Sequence, residues 1–133
     1  MQVDFREHAM RTIHAVLAAL GGGLVLSAGA AMAQPINVSD GILVNGAGMT
    51  IYTFDKDVAG SGKSSCNGQC AKMWPPVPLN VDWIESPYSI VTRDDGSRQL
   101  AYKGRPLYLY SGDDKPGERK GDKKNGVWHV VTD

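Results

Sequence analysis

The chain has 133 residues, and its 14 Lys and Arg side chains are balanced by 14 Asp and Glu side chains, so the formal net charge is zero. Binding to nucleic acid or to an anionic membrane surface needs an excess of positive charge, and this balance supports neither. The length fits one small domain once a targeting segment is set aside.

The first 33 residues have the pattern of a secretory signal peptide. Arg11 precedes an apolar run over residues 13–26, and Ala31-Met32-Ala33 follows as a cleavage site. The run is short and rich in Gly and Ala, which disfavours a membrane span. We therefore expect a signal peptide over residues 1–33, a single domain over residues 34–133, no stable membrane span after cleavage, and a periplasmic or secreted location.

Short apolar runs between turn residues predict an all-β domain of antiparallel hairpins. Asn45-Gly46 and Asp94-Asp95-Gly96 are both typical of hairpin turns. A short helical turn is expected over residues 69–73, close to the two cysteines, and a second over residues 82–87. The predicted strands cover residues 42–44, 50–54, 89–92, 99–102, 107–110 and 127–131.

One stretch of the chain is used twice. In each copy a Tyr is followed by an aromatic residue two positions later, by an Asp five positions later, and by a Trp 20 or 22 positions later. We predict an internal duplication over about residues 42–76 and 100–131, because the Tyr and Asp pairs share one spacing, 56 residues. The first copy contains Tyr52, Phe54, Asp57 and Trp74, and the second contains Tyr108, Tyr110, Asp113 and Trp128.

The repeated residues have two interpretations. In the structural one, each Asp accepts hydrogen bonds from turn amides, while the Tyr and Trp side chains fill the core with their polar tips satisfied. In the functional one, two matching aromatic and acidic sites line a ligand groove. Strand alternation places Tyr52 and Phe54 on one face and Ile51 on the other, so both faces carry large apolar groups.

Cys66 and Cys70 are the two cysteines of the chain, and in an exported protein a disulfide is the simplest expectation. An alternative is a copper site, because thiolate and thioether sulfur are soft ligands. Its ligands would be Cys66, Cys70, Met73 and His129. A disulfide would hold the short loop between the cysteines as a tight turn near Trp74.

Other kinds of site have weaker support. Asp55-x-Asp57-x-x-Gly60 resembles the start of a calcium loop, but Cys66 stands where the closing acidic ligand should be. The basic segment over residues 115–124 is rich in Gly and reads as a solvated loop. No nucleophile motif and no phosphate-binding glycine loop is found, so we expect no enzyme, no catalytic residue and no cofactor.

The repeated motifs resemble a known family of bacterial secreted repeats with a Tyr-x4-Asp motif. The family is also described as predicted lipoproteins with a Tyr-x-aromatic-x-x-Asp motif. The resemblance spans about residues 42–133, although no Cys follows the apolar run to carry a lipid. It implies export and a repeat fold, and it implies no established activity.

These observations favour an exported, non-enzymatic domain that binds a small ligand or an envelope protein. Two alternatives remain: a copper-binding or thiol-redox accessory protein, and a purely structural protein of the cell envelope. A thiol titration would separate the copper and redox alternative from the other two.

Overall fold

The computed structural model describes residues 36–133, so the signal peptide predicted over residues 1–33 lies outside the described residues. The described part contains one helix, α1 (Gln69–Met73), and one 3-10 turn (Lys124–Gly126). The predicted all-β class, with a short helical turn beside the cysteines, is confirmed. The strands are β1 (Ile36–Ser39), β2 (Ile42–Asn45), β3 (Tyr52–Phe54), β4 (Tyr88–Thr92), β5 (Arg98–Tyr102), β6 (Arg105–Pro106) and β7 (Trp128–Val130).

The strands pair into three small antiparallel sheets. β1 pairs with β2, β3 pairs with β7, and β4, β5 and β6 form a three-stranded sheet in that order. In the β3–β7 pair, Tyr52 lies opposite Val130 and Phe54 lies opposite Trp128. Because β3 belongs to the first predicted repeat and β7 to the second, this sheet joins the two repeats.

The hairpin predicted around Asn45-Gly46 is only partly formed. Val44 and Thr50 make a single isolated bridge, whereas β2 has its full ladder with β1, a strand that the sequence analysis missed. Asp40 and Gly41 connect β1 to β2 with φ angles of 50° and 80°. Two positive φ angles in a two-residue connection are what the twist of a hairpin favours. β3 pairs with β7 instead of with β2.

The hairpin predicted around Asp94-Asp95-Gly96 is confirmed. β4 and β5 pair along their whole length, from Tyr88 opposite Tyr102 to Thr92 opposite Arg98. The chain then turns through residues 103–104 into β6, which the predicted strands did not include.

The segment over residues 107–110 is extended, but it does not form the continuous strand that was predicted. Tyr108 makes two isolated bridges, to Tyr52 and to Pro76. The neighbouring stretch over residues 75–78 has proline at three of its four positions. A regular ladder is not possible there because proline has no N–H donor.

The prediction of a helical turn over residues 82–87 is wrong. The side chain of Arg98 holds this segment by binding the Val81 carbonyl and the Asp82 carboxylate. The Glu85 carbonyl accepts a hydrogen bond from the Tyr88 amide at 3.0 Å, which turns the chain into β4. Pro87 cannot donate to a helical hydrogen bond, so the segment is a bend followed by a turn.

Two apolar clusters lie on opposite faces of the repeated strands. One is aliphatic in character and contains Ile51 and Leu107, together with residues of β2 and β5. The other is aromatic and contains Tyr52, Phe54 and Tyr108, with both repeat Trp residues and Cys66. The alternation read from the sequence therefore gives the correct faces, and the aromatic cluster is the one next to the candidate site.

Candidate functional site

The Tyr of each repeat binds the Asp of the other repeat. The Tyr52 hydroxyl donates to Asp113 Oδ2 at 2.6 Å, and the Tyr108 hydroxyl donates to Asp57 Oδ2 at 2.5 Å. The main chains of the two Tyr residues are also paired, with N–O distances of 2.8 and 2.9 Å. We call the two crossed side-chain hydrogen bonds the Tyr–Asp clasp, and they tie the first repeat to the second.

The second oxygen of each carboxylate binds a main-chain amide of its own repeat. Asp57 Oδ1 accepts from Ser65 N at 2.6 Å, and Asp113 Oδ1 accepts from Lys120 N at 2.9 Å. The two Asp residues are only 4% and 8% exposed, and a buried carboxylate needs such donors to offset the loss of water. The hydrogen bonds from turn amides to each Asp were expected from the sequence. The hydrogen bond from the Tyr hydroxyl of the other repeat was not expected.

Neither phenol of the clasp reaches solvent, because Tyr52 and Tyr108 are both 0% exposed. Burial raises the pKa of each phenol well above its ordinary value, and the hydrogen bond to the Asp raises it further. Buried, protonated phenols cannot line a groove or exchange protons with a dissolved ligand. The interpretation that placed these Tyr rings in a ligand groove is therefore wrong.

Four aromatic rings, two from each repeat, form a continuous stack. Trp74 and Trp128 lie at the middle, with ring centroids 3.7 Å apart and planes 4° from parallel. Phe54 stacks on Trp128 at 4.2 Å, and Tyr110 stacks on Trp74 at 4.3 Å. We call this arrangement the aromatic column. Each Trp is thus covered by the second aromatic residue of the other repeat, and both halves contribute equally.

The contacts of the column repeat when the two copies are exchanged. Tyr52 meets Trp74 edge-on at 5.5 Å, and Tyr108 meets Trp128 edge-on at 5.2 Å. Tyr110 likewise meets Tyr52 at 6.3 Å, and Phe54 meets Tyr108 at 6.4 Å. Edge-to-face and offset-stacked pairs of this kind stabilise by about 0.5–1.5 kcal/mol each beyond burial.

A buried polar network supports one side of the clasp and was missed in the sequence. Arg93 is only 5% exposed, and its guanidinium donates to Gln99 Oε1 at 2.7 Å, to Ser64 Oγ at 2.9 Å and to the Cys66 carbonyl. Ser64 Oγ lies 2.6 Å from the Tyr108 hydroxyl. Arg93 therefore fixes the loop that contains the cysteines against β4 and β5. Its position in a polar turn of the sequence gave no sign of burial.

An open groove of about 460 Å³ runs beside the aromatic column. Three successive rings of the stack line it, Phe54, Trp128 and Trp74, and we call these buried rings its floor. The groove is also lined by α1, with Gln69, Cys70 and the half-exposed Met73, and by the 3-10 turn, and we call these two elements its rims. The remaining residues that line it are Lys56, Lys124, Asn125 and Val127.

Both rims of the groove are constrained. On one side, Cys66 and Cys70 form the predicted disulfide at the start of α1. On the other, Lys123 and Asn125 have φ angles of 62° and 53°, which non-glycine residues rarely adopt. Such backbone strain tends to be found at ligand-binding sites and persists only where the surroundings hold it. The shape of the groove is therefore largely formed in advance.

The structure does not bring the proposed copper ligands together. The two sulfur atoms are bonded to each other, and His129 Nε2 lies 2.7 Å from Asp55 Oδ2 on the opposite face of β7 from Trp128. Asp57 is occupied by the clasp, so it does not join Asp55 in a calcium loop. In the part of the chain that the structure describes, no group of three or more His, Cys, Asp or Glu side chains is placed to hold a metal ion.

The fold and the clasp define a class of protein: a duplicated all-β domain in which each repeat completes the core of the other. A family model described as a secreted repeat of unknown function matches residues 35–78 and again residues 89–132. The matches cover more than half of the chain, and the chain belongs to this family of secreted repeats. No curated protein and no solved structure matches it.

The family matches confirm the duplication and extend its limits. The second match begins at residue 89, before the limit of about 100 that the sequence suggested, and it includes most of the β4–β5 hairpin. The first match likewise begins with the β1–β2 hairpin. The description as a secreted repeat agrees with the predicted periplasmic or secreted location. Within residues 36–133, no helix has the length and apolar character needed to cross a membrane.

Proposed function

We propose that this exported domain is a non-enzymatic binding module, and that the groove beside the aromatic column is its site for a small ligand. The observation that carries the proposal is the groove, with its floor of three stacked rings and its two constrained rims. Binding sites for small molecules are typically concave, mostly apolar, largely formed in advance and about 300–1,000 Å³ in volume. The groove has these properties.

The clasp supplies the scaffold of this site. Its phenols and carboxylates are buried and hydrogen-bond to one another, and the two Tyr rings pack edge-on against the Trp rings. We infer that the Tyr-x4-Asp spacing is a signature of the duplicated core, and that the ligand contacts come from α1 and from the 3-10 turn. Neither element contains a buried residue, so their side chains are free to interact without disturbing the core.

The alternatives have less support. Copper binding needs two thiolates, and here both sulfur atoms are in the disulfide. A thiol-redox role would need reduction of this bond, and a purely structural role would leave the groove without a ligand. A thiol titration of the exported protein tests the first two, and the ligand screen below tests the third.

The test uses amide chemical-shift mapping of residues 34–133 with a library of small apolar and amphipathic compounds. Hits should shift the amides of Gln69–Met73 and of Lys124–Gly126, because these elements form the rims. Met73→Ala should weaken the hits several-fold, since about half of this side chain is exposed at the groove and its loss removes apolar contact.

Lys72→Ala provides the matched control on the same helix. Lys72 is exposed and does not line the groove, so its removal should leave the binding of each hit unchanged. Both variants should melt within a degree or two of the parent, roughly the effect of a surface substitution. The proposed site would be contradicted by a library that produces no shifts at either rim, or by hits whose affinity is the same for Met73→Ala as for the parent.

A further inference from the structure

We propose that the groove selects small aromatic carboxylates, meaning compounds with one planar ring and one negatively charged group. This inference rests on the proposed function and adds the chemical class of the ligand. Two independent features carry it, the charge of the side chains around the groove and the orientation of the rings that form its floor.

The charge around the groove has one sign. Lys56 and Lys124 line it, and no acidic side chain is found among its lining residues in the described part of the chain. The whole chain has a net charge of zero, so two cations without an acid are a local departure from the balance. The amide side chains of Gln69 and Asn125 add hydrogen-bond donors at the rims. A carboxylate matches this set, and an ammonium group does not.

The amine of Lys124 is held near the column. Its Nζ lies 5.6 Å from the centroid of the Tyr110 ring, which is the terminal ring of the stack. Asn125, the next residue, has positive φ, so the turn that presents Lys124 is itself constrained. Lys56 follows Phe54 at the opposite end of the same stack. Both cations therefore belong to the lining of the groove, together with the rings of its floor.

The floor presents ring edges. Trp128 and Trp74 are the inner members of a nearly parallel stack, and because both faces of each ring are covered, they can line the groove only with their edges. The edge of an aromatic ring carries partial positive charge and its face carries partial negative charge. A planar aromatic ligand can therefore place its face against these edges, which a saturated ring cannot do.

The experiment titrates residues 34–133 with four matched probes and follows the amides of the rims. The probes are phenylacetate, phenylacetamide, benzylamine and cyclohexylacetate. Phenylacetate should bind about two- to five-fold more tightly than phenylacetamide, as expected for exposed ion pairs, and benzylamine should bind most weakly. Cyclohexylacetate should bind more weakly than phenylacetate, because it has the charge without the aromatic face.

Lys56→Gln and Lys124→Gln should each lower the affinity for phenylacetate about two- to five-fold and leave phenylacetamide unchanged. Lys63→Gln is the control, because Lys63 is exposed and does not line the groove. Equal binding of phenylacetate and phenylacetamide at the rims would overturn the charge preference while keeping the groove as a binding site. Absence of binding by phenylacetate overturns the inference, and the broader library then decides separately on the proposed function.

Discussion

Removing one Tyr hydroxyl of the Tyr–Asp clasp should destabilise the domain, because the Asp of the other repeat loses its hydrogen-bond donor. Tyr108→Phe deletes a hydroxyl that donates to Asp57 at 2.5 Å, and Tyr52→Phe deletes the matching donor to Asp113 at 2.6 Å. A hydrogen bond to a charged group contributes about 1.5–3 kcal/mol, and a buried group left without its partner bears the cost of desolvation. Each substitution should therefore lower the free energy of unfolding by about 2 kcal/mol.

Double-mutant cycles can show that the pairing crosses between repeats. The cycles combine each Tyr→Phe change with Asp57→Ala or Asp113→Ala, and unfolding in urea gives the free energies. The crossed pairs, Tyr108 with Asp57 and Tyr52 with Asp113, should have coupling energies of about 1.5–3 kcal/mol. Pairs within one repeat share no hydrogen bond, so their coupling should stay below about 0.5 kcal/mol.

Tyr88→Phe is the control for the loss of a phenol outside the clasp. Tyr88 packs against Tyr102, and its hydroxyl takes no part in the clasp. A loss of about 2 kcal/mol should lower the melting temperature by about 8–16 °C in a domain of this size, whereas the control should lower it far less. Coupling within a repeat that equals or exceeds the crossed coupling would refute the crossed pairing of Tyr and Asp.

Three further results are expected. The unfolding free energy should fall above about pH 10, by up to about 1.4 kcal/mol per pH unit for each clasp phenol. The reason is that burial raises the pKa of both phenols in the folded state, while unfolded phenols titrate near 10. Urea melts measure this loss, which should be shallower for Tyr52→Phe. Replacing Cys66 and Cys70 with Ser should cost about 2 kcal/mol in the same assay, since the closed loop is short. Gly121→Ala should cost about 1–3 kcal/mol, measured by thermal melting, because its added carbon would lie 2.7 Å from the Trp74 ring.

The parts of the fold that depend on neighbours in sequence were predictable. Alternation gave the correct faces of β3, because side chains two apart on a strand share a face whatever the partner strand is. The turn at Gly96 and the helix at Gln69–Met73 also have local causes. The missed strand β1 had a local signal as well, since Asp40-Gly41 is a favoured hairpin turn.

The crossing of the clasp was not predictable from spacing. Each repeat contains a Tyr and an Asp five residues apart, and that spacing is the same whether the hydrogen bond forms within a repeat or between repeats. The choice depends on the β3–β7 pair and on the bridge between Tyr52 and Tyr108, which are contacts between distant parts of the chain. Arg93 was missed for a similar reason, because two of its partners, Ser64 and the Cys66 carbonyl, lie about 30 residues away in the cysteine loop.

The crossed pairing also explains why the groove and the duplication belong together. Phe54 and Trp74 come from the first repeat and Trp128 from the second, so the floor exists only when the two halves are joined. A ligand that contacts all three rings therefore stabilises the joined state over the separated one, by an amount set by its concentration relative to its dissociation constant. By the same linkage, a groove ligand should raise the melting temperature of a clasp variant as it raises that of the parent, whereas Lys56→Gln and Lys124→Gln should lower the affinity for anions alone.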